Sequence, residues 1–547
     1  MKPIMTVYWS GHDVNLSVWR KSDNFFITYE FERISQEKHH KADDEEQKFK
    51  GRTVRKILEH LKKYYGIEND FSEIYIKPNA EIPRNYPYFD QIKGPKFYVA
   101  LDHHMLHAVS AYWQSPFNDC SVIAWDGGGD FGSFAYYEFK DEELVHSESR
   151  NTHDFSRAYT DVSARLKTFG RTRRLDLAGK NMGLSAYGKK FKDDPETQKA
   201  IDIISKKMCN KVPEQLRMWG TYDMRKILRD NFETTKDAKG RECHGGDTEL
   251  KLSYAAQVAM EDGFIKFLES DFIDRIRKTG NLIITGGSAL NVLVNEKVKE
   301  TFPDVNLFVP SDPHDGGLSA GIMYIAPAWR NRHRGDLHDP IRPKRMTRLY
   351  NGPVLSDLDR LPDYNPTAIV TIKEIVSMLR EGKIIGLLQG GSEIGPRALG
   401  NRSILCDPSY PNMKDDLNAK VKFREWFRPF APVCTLETAD QYFESNVPFE
   451  DMNAMQYAPT VKKEYQEKLL SVTHVDGTAR LQTVAEKDNP VLHSLLTEFD
   501  GVLLNTSFNV QGKPITNYIQ DALGMLERTG LDAVIVRGKD KKLWLFE

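Results

Sequence analysis

The 547 residues predict an α/β protein of two domains, the first a duplicated nucleotide-binding unit and the second a separate strand–helix domain. Three observations carry this. The chain exceeds the size that one hydrophobic core usually serves. Its N-terminal third repeats a strand–turn–strand plan. Its C-terminal third alternates apolar strands with amphipathic helices, the pattern of an α/β layer.

The repeat comes first in the chain. IMTVYWSGHDVNLSVWR reads as a strand, a tight polar turn and a second strand, and FFITYEF continues as a third. CSVIAWDGGGDFGSFAYYEF follows the same plan, with a glycine-rich turn that carries an aspartate. Two such hairpins, each bending a backbone loop toward one cleft, build the actin-like (ASKHA) ATPase arrangement. Between them, residues 52–67 have amphipathic helical spacing. Residues 155–278 read as mostly helical, with polar loops near 210 and at 235–247.

NLIITGGSALNVLVNEKV then supplies an apolar strand, Gly286-Gly287 and a helix start. Close backbone approach and a helix N-terminus favour an anion there, although ordinary strand–helix turns look the same. A basic segment, AWRNRHRGDLHDPIRPKRMTR, carries six arginines and one lysine against two aspartates. The boundary falls there, giving domains 1–340 and 350–547. The segment reads as a solvated connector, with an anion-docking surface, nucleic acid included, as the alternative. Beyond it, EIVSMLREG, KIIGLLQGG, GVLLNTSFNVQGKPI and DAVIVRG alternate helix and strand.

Composition narrows the class. A formal charge of −2 and 40% hydrophobic residues describe a soluble globular enzyme. Five scattered cysteines without CxxC spacing read as reduced thiols, which excludes a disulfide framework. No signal peptide and no membrane-length apolar run is expected, so the expected location is cytoplasmic. A homodimer is the expectation from base rates alone.

Two stretches carry chemistry. In LDHHMLHAVSAYW, a helix starting at 102 places His103 and His107 four apart on one face, where they can converge on a cation. The other reading leaves His103 and His104 exposed in a first turn and makes His107 a hydrogen-bonded core residue. In QGGSEIGPRALGNRSILCDP and NAKVKFREWFRPFAP, the cations Arg397, Arg402, Lys422, Arg424 and Arg428 stand among Gly395, Gly400 and Ser403. Prolines interrupt any helical face, so the run reads as a folded anion pocket.

These motifs make a resemblance specific. GPRALGNRSI, KFREWFRPFAP, THVDGTARLQTV and LNTSFNVQGKPI look like the C-terminal half of the NodU/CmcH/TobZ family of O-carbamoyltransferases. FERISQEKHH, HHMLHAVSAYW, GKNMGLSAYG, TGGSALNVLVN and DPHDGG are similar to its N-terminal half, in the same order. The resemblance implies a TsaD-like actin-like domain followed by a YrdC-like α/β domain. It implies that carbamoyl phosphate and ATP form carbamoyl-adenylate, which carbamoylates a hydroxyl of a small molecule.

The resemblance also assigns roles. His103, His107, Asp126 and Asp315 would hold a divalent metal, Fe(II) ahead of Zn(II) or Mn(II), with Mg accompanying ATP. His104 is expected outside that set. Asp126 and Asp315 retain plain alternatives as a turn residue and a helix cap. Gly127, Gly128, Gly183, Gly286, Gly287, Ser288 and Asn291 would line the adenylate. His12 is the candidate general base, with Asp13 beside it, and Lys38 would stabilise charge on the carbamoyl group. Arg397, Arg402, Ser403, Lys422, Arg424, Arg428, His474, Asp476, Arg480, Asn505 and Ser507 would grip carbamoyl phosphate and ATP.

One departure stands out: where the family reads QGRxEFGPRALG, this chain has Gly391. Arg424 or the connector arginines are candidates to replace the missing charge. Two other functions compete. One is the same chemistry on a hydroxymethylated base in a nucleotide or in DNA, served by Arg171, Arg173 and Arg174. The other is a nucleotide-binding regulator without turnover.

Overall fold

The computed structural model describes residues 2–78, 87–130, 132–150, 153–170, 172–209, 224–333, 343–345 and 349–547. Arg171, the loop near 210 and most of the basic connector lie outside the described residues.

Two five-stranded sheets form the first domain. β1 (Ile4–Trp9), β2 (Asn15–Arg20) and β3 (Phe25–Glu30) are antiparallel; β4 (Glu73–Pro78) and β5 (Lys96–Tyr98) follow in parallel, in the order β3-β2-β1-β4-β5. The second sheet repeats this. β6 (Cys120–Gly129), β7 (Gly132–Lys140) and β8 (Glu143–Arg150) are the antiparallel hairpins. A ribbon, β9 (Thr235–Lys236) and β10 (Glu242–Cys243), intervenes, and β11 (Asn281–Thr285) and β12 (Asn306–Phe308) complete the order β12-β11-β6-β7-β8 in parallel. The duplication read from two hairpins therefore extends to whole sheets, as the actin-like arrangement requires.

Every residue of IMTVYW in β1 is buried, because helices cover both faces of its sheet. Val54, Ile57 and Leu61 of helix Arg52–Tyr65 pack on one face. On the other, Leu106 of helix His103–Gln114 and Leu318 and Ile322 of helix Leu318–His333 pack against Ile4 and Tyr8. Those two helices also reach the second sheet, through Ala108, Tyr112 and Tyr324 against Val122 and Ala124. They cross at Gly321, where a Cβ would lie 2.5 Å from the Leu106 carbonyl oxygen. Only glycine allows that approach, and it brings the start of each helix to the same end of the sandwich.

Helices Phe155–Ser163, Arg174–Gly188, Pro195–Cys209, Met224–Asn231 and Gly246–Asp271 form a bundle beside the second sheet, as the helical reading of 155–278 requires. No helix among the described residues is long and apolar enough to cross a membrane.

The second domain is a mixed eight-stranded sheet in the order β13-β22-β21-β14-β15-β20-β16-β19. Its strands are β13 (Ala368–Val370), β14 (Ile385–Leu388), β15 (Arg402–Cys406), β16 (Ala431–Thr435), β19 (Gln482–Val484), β20 (Leu503–Ser507), β21 (Ala533–Arg537) and β22 (Leu543–Phe546), with a ribbon of β17 (Phe443–Glu444) and β18 (Thr460–Val461) apart. The two domains share one apolar core: Phe169 and Leu184 of the bundle belong to the same cluster as Val421 and Phe427.

Candidate functional site

The helix carrying LDHHMLH begins at His103, with the Asp102 carboxylate accepting from the Met105 amide as its cap. All three histidines are buried, which rules out an exposed first turn. His103 Nε2 and His107 Nε2 both lie 3.2 Å from Asp126 Oδ2, and 3.2 Å from each other. Asp315 Oδ1 is 3.3 Å from His107 Nε2 and 3.7 Å from His103 Nε2. Asp126 comes from the end of β6, and Asp315 from the turn that opens helix Leu318–His333. The helix crossing at Gly321 is what brings these donors together. His104 points elsewhere, its ring against Gly129, and stays outside the set.

The donor chemistry fits a divalent cation. Metal–ligand bonds of about 2.1 Å in a tetrahedron put donors about 3.4 Å apart, and 3.2–3.7 Å is observed. Burial disfavours charge on His107, but Asp126 and Asp315 hold its proton, and its pKa stands at about 9. Burial likewise opposes ionisation of Asp126, yet the two imidazoles hold it well below the usual carboxylate range. A buried set of two carboxylates and two imidazoles is thus held in part by the His107 proton, which a cation can replace. Tyr8, which sequence reasoning missed, supplies an outer contact: its hydroxyl lies 3.1 Å from His103 Nδ1 and 3.3 Å from Asp315 Oδ2.

A second network adjoins the first. Asp13 bridges two imidazoles, with His12 Nδ1 and His39 Nδ1 each 3.0 Å from its carboxylate. His12 Nδ1 is also 3.8 Å from Asp315 Oδ2. Burial would lower the His12 pKa, but the Asp13 hydrogen bond and the Asp315 charge raise it to about 9. Asp13 and His39 adopt positive φ, 55° and 56°, a conformation that costs non-glycine residues energy and marks a positioned loop. Lys38 is ion-paired with Asp176, a partner from the bundle that no motif announced.

The glycines divide. Gly286 sits at φ 91°, and a Cβ there would strike the Trp125 carbonyl oxygen at 2.2 Å, so the TGG turn is built for a close approach between β11 and β6. Gly287 lies against Asp126, and the Gly127 amide donates to Asp126 Oδ1. Gly128 faces the Arg157 guanidinium. Ser288 bonds Ser156. Asn291 caps helix Val292–Thr301 and bonds Gln257, so its side chain is largely spent. Gly183 is a packing residue: it seats Phe427 and Pro429 against the bundle.

In the second domain several expected anion ligands are structural instead. Arg402 is 0% exposed and donates to the carbonyls of Pro353, Gln389, Gly390 and Asn401 and to Asn517 Oδ1. Its guanidinium is saturated by the scaffold and does not reach an anion. Arg402→Met is expected to cost about 3 kcal/mol or more, since each buried polar group left unpaired costs 1–3 kcal/mol. Chemical denaturation would read this as a lower midpoint. Ser403 Oγ accepts from the Gly400 amide, and Asn505 holds Ala398 O and Gln482. Asp476 caps its own turn through Thr478, and the His474 ring packs on Tyr187. Neither THVDG residue lines the cavity described below.

What remains is a concentrated positive group. Arg397, Arg424, Arg428 and Arg480 lie close enough to depress one another: burial first, then the neighbouring arginines, pulls Arg480 well below the usual arginine range. Burial and Arg428 bring Arg397 to about 10. The Nε atoms of Arg397 and Arg480 are enclosed without hydrogen-bond partners. Lys422 is beside them, tied to Ser507 and Asn509. Position 391 has no room for a side chain, since a Cβ would lie 2.8 Å from the Gly352 carbonyl oxygen. Arg345 of the connector does not substitute; it is spent on Tyr112 and the Ser115 and Phe117 carbonyls.

One cavity of about 1490 Å³ joins these groups. The first domain lines it with His12, Asp13, Lys38, Asp126, Ser288 and Asp315, and the second with Arg397, Lys422, Arg424, Arg428 and Ser507.

Fold and cavity together define a group-transfer enzyme of nucleotide-binding fold. The chain belongs to the carbamoyltransferase family: the Carbamoyltransferase N-terminus family matches residues 33–323, and the Carbamoyltransferase C-terminus family residues 376–539. It is 31% identical to an uncharacterized protein of Methanocaldococcus jannaschii, over 89% of this chain and 78% of that one. It is 30% identical to nodulation protein NolO of Bradyrhizobium diazoefficiens, over 80% and 78%. To nodulation protein U of the same bacterium it is 34% identical, over 77% and 73%.

Proposed function

We propose that this carbamoyltransferase is an O-carbamoyltransferase that uses carbamoyl phosphate and ATP. Carbamoyl phosphate, ATP and one water yield carbamoyl-adenylate, phosphate and pyrophosphate; the acceptor hydroxyl then attacks the carbamoyl carbon and AMP leaves. The reading rests on one observation above all: a single cavity joins the arginine group to the His12–Asp13 and His103–Asp126 networks. Linking carbamate to AMP gives a poor electrophile a good leaving group, and both halves of that chemistry need anion-binding walls.

Arg397, Arg424 and Arg428 bind the phosphates. Asp13 fixes His12 through Nδ1, so Nε2 is the atom that takes the acceptor proton once the ring, which Asp13 and Asp315 keep protonated near neutrality, has given up its own. Lys38, beside Asp176, meets charge on the carbamoyl oxygen. His103, His107, Asp126 and Asp315 would hold a divalent cation, which would supply positive charge for the adenylate phosphate and would offset the carboxylate field on His12.

The test is incubation with ATP, carbamoyl phosphate and Fe(II), following pyrophosphate and adenylate by mass spectrometry. Pyrophosphate that depends on carbamoyl phosphate is the expected result. Pyrophosphate formed equally without carbamoyl phosphate, or none from folded and metal-loaded protein, would refute it.

A further inference from the structure

We propose that the acceptor hydroxyl belongs to a phosphate-bearing molecule, held against a cationic wall that the helical bundle gives to the cavity. The proposal rests on reading the cavity as a carbamoyl-transfer site, and it names the acceptor's class. Among the described residues between 154 and 225, seven lysine and arginine side chains line the cavity against three aspartates. Two of those aspartates are already engaged, Asp161 by Arg174 at 2.8 Å and Asp176 by Lys38 and His39. Burial raises the pKa of the third, Asp154, but the charges of Arg157 and Lys207, which it partly balances, oppose that rise. Lys180 is matched by Glu425 across the domain joint, at 2.6 Å.

The remainder is unbalanced. Arg165 and Arg225 have no carboxylate ion pair among the described residues, Arg157 has the charge of Asp154 and the Gly127 carbonyl, and Arg173 has only the Lys38 carbonyl, at 3.3 Å. Arg165 is the most telling. Its Nε is enclosed and makes no hydrogen bond. Its backbone is pinned on both sides, the amide to Val162 O at 2.9 Å and the carbonyl to the His244 amide at 2.8 Å. A guanidinium anchored through its backbone in a cavity wall, with an enclosed donor left over, suits an oxyanion, and its planar fork matches phosphate.

This wall is distinct in origin from the arginines of the second domain. The proposed function assigns those to ATP and carbamoyl phosphate, whereas an acceptor offering only neutral hydroxyls leaves the bundle's cations unmatched. Free phosphate monoesters and polynucleotides share the required chemistry, so the experiment separates them.

The full chain, with ATP, carbamoyl phosphate and Fe(II), would be offered matched pairs: glucose and glucose 6-phosphate, and 5-hydroxymethyl-2′-deoxycytidine and its 5′-monophosphate. A DNA duplex bearing the same hydroxymethyl base forms a third arm. Carbamoylated product is read by mass spectrometry and pyrophosphate separately. The expected result is a kcat/KM at least tenfold higher for a phosphorylated member than for its neutral partner. Arg165→Gln with Arg225→Gln should cut that ratio about tenfold or more, as loss of charge-assisted contacts does; the ratio does not depend on the fraction folded. A duplex carbamoylated in preference to the monophosphate assigns the phosphate to a polymer. Preference for a neutral member, or pyrophosphate release with no phosphorylated compound carbamoylated, overturns the proposal. Absence of pyrophosphate with every compound removes the reading beneath it, and the proposal with it.

Discussion

His107→Ala is expected to abolish divalent metal retention and to lower the rate of carbamoyl transfer by more than two orders of magnitude. Loss of a mere outer-shell partner of a metal ligand costs 10–100-fold in affinity or activity, and His107 Nε2 stands within 3.3 Å of both Asp126 and Asp315. The variant also strips those carboxylates of one of the two imidazoles that stabilise their charge. Elemental analysis of dialysed protein measures the metal, and isothermal titration with Fe(II) the affinity. Tyr8→Phe serves as the graded companion, since it leaves all four donors in place but removes the hydroxyl from His103 and Asp315. Retention of full metal content by His107→Ala would disprove the assignment of the cluster.

Arg428→Met is expected to move stability and activity in opposite directions. Arg428 depresses Arg397, Arg424 and Arg480 in turn, and among the described residues its own nearest carboxylate is Glu425, at 3.7 Å. Four cations gathered before any anion arrives repel one another, so removing one relieves the ligand-free fold. With carbamoyl phosphate the sign reverses: the lost charge-assisted contact is worth 1.5–3 kcal/mol, roughly a 10–100-fold rise in KM. Thermal unfolding without ligand should show a Tm equal to or above that of the wild type, and pyrophosphate kinetics the raised KM. A lower Tm with an unchanged KM would make Arg428 structural.

The duplicated sheets were legible because strand alternation and glycine turns are local signals, and one register pattern served both halves. The His103–His107 pair was legible for the same reason, since helical spacing alone puts the rings on one face. Arg402 was not. Its neighbours in GPRALGNRSI are the same kinds of residue that flank Arg397, and only the fold reveals that one guanidinium turns inward to five scaffold oxygens while the other faces the cavity. Asp176, His39 and Tyr8 were missed because their partners lie 138, 26 and 307 residues away. No periodicity links such positions. Gly391 looked like a lost ligand in sequence, yet its geometry is that of a contact with the backbone at 350–352, where no arginine fits.

The seam between the domains has a consequence for how such proteins diversify. Phe427 packs edge-on to Phe169, with ring centroids 5.9 Å apart, and rests on Gly183. Arg424 and Arg428, on either side of it in sequence, line the cavity, and Phe169 and Gly183, on which it rests, flank Arg173, which lines the same cavity. The connector at 330–350 can be cut and rejoined on paper, but the halves are not interchangeable parts. A chimaera that took its second domain from a relative has to reproduce the Phe427 socket, and under the proposed function a misfit there disturbs the cationic wall. If the proposed function holds, selectivity and activation are inherited together, and point changes in the bundle are a better route to new acceptors than recombination at the connector.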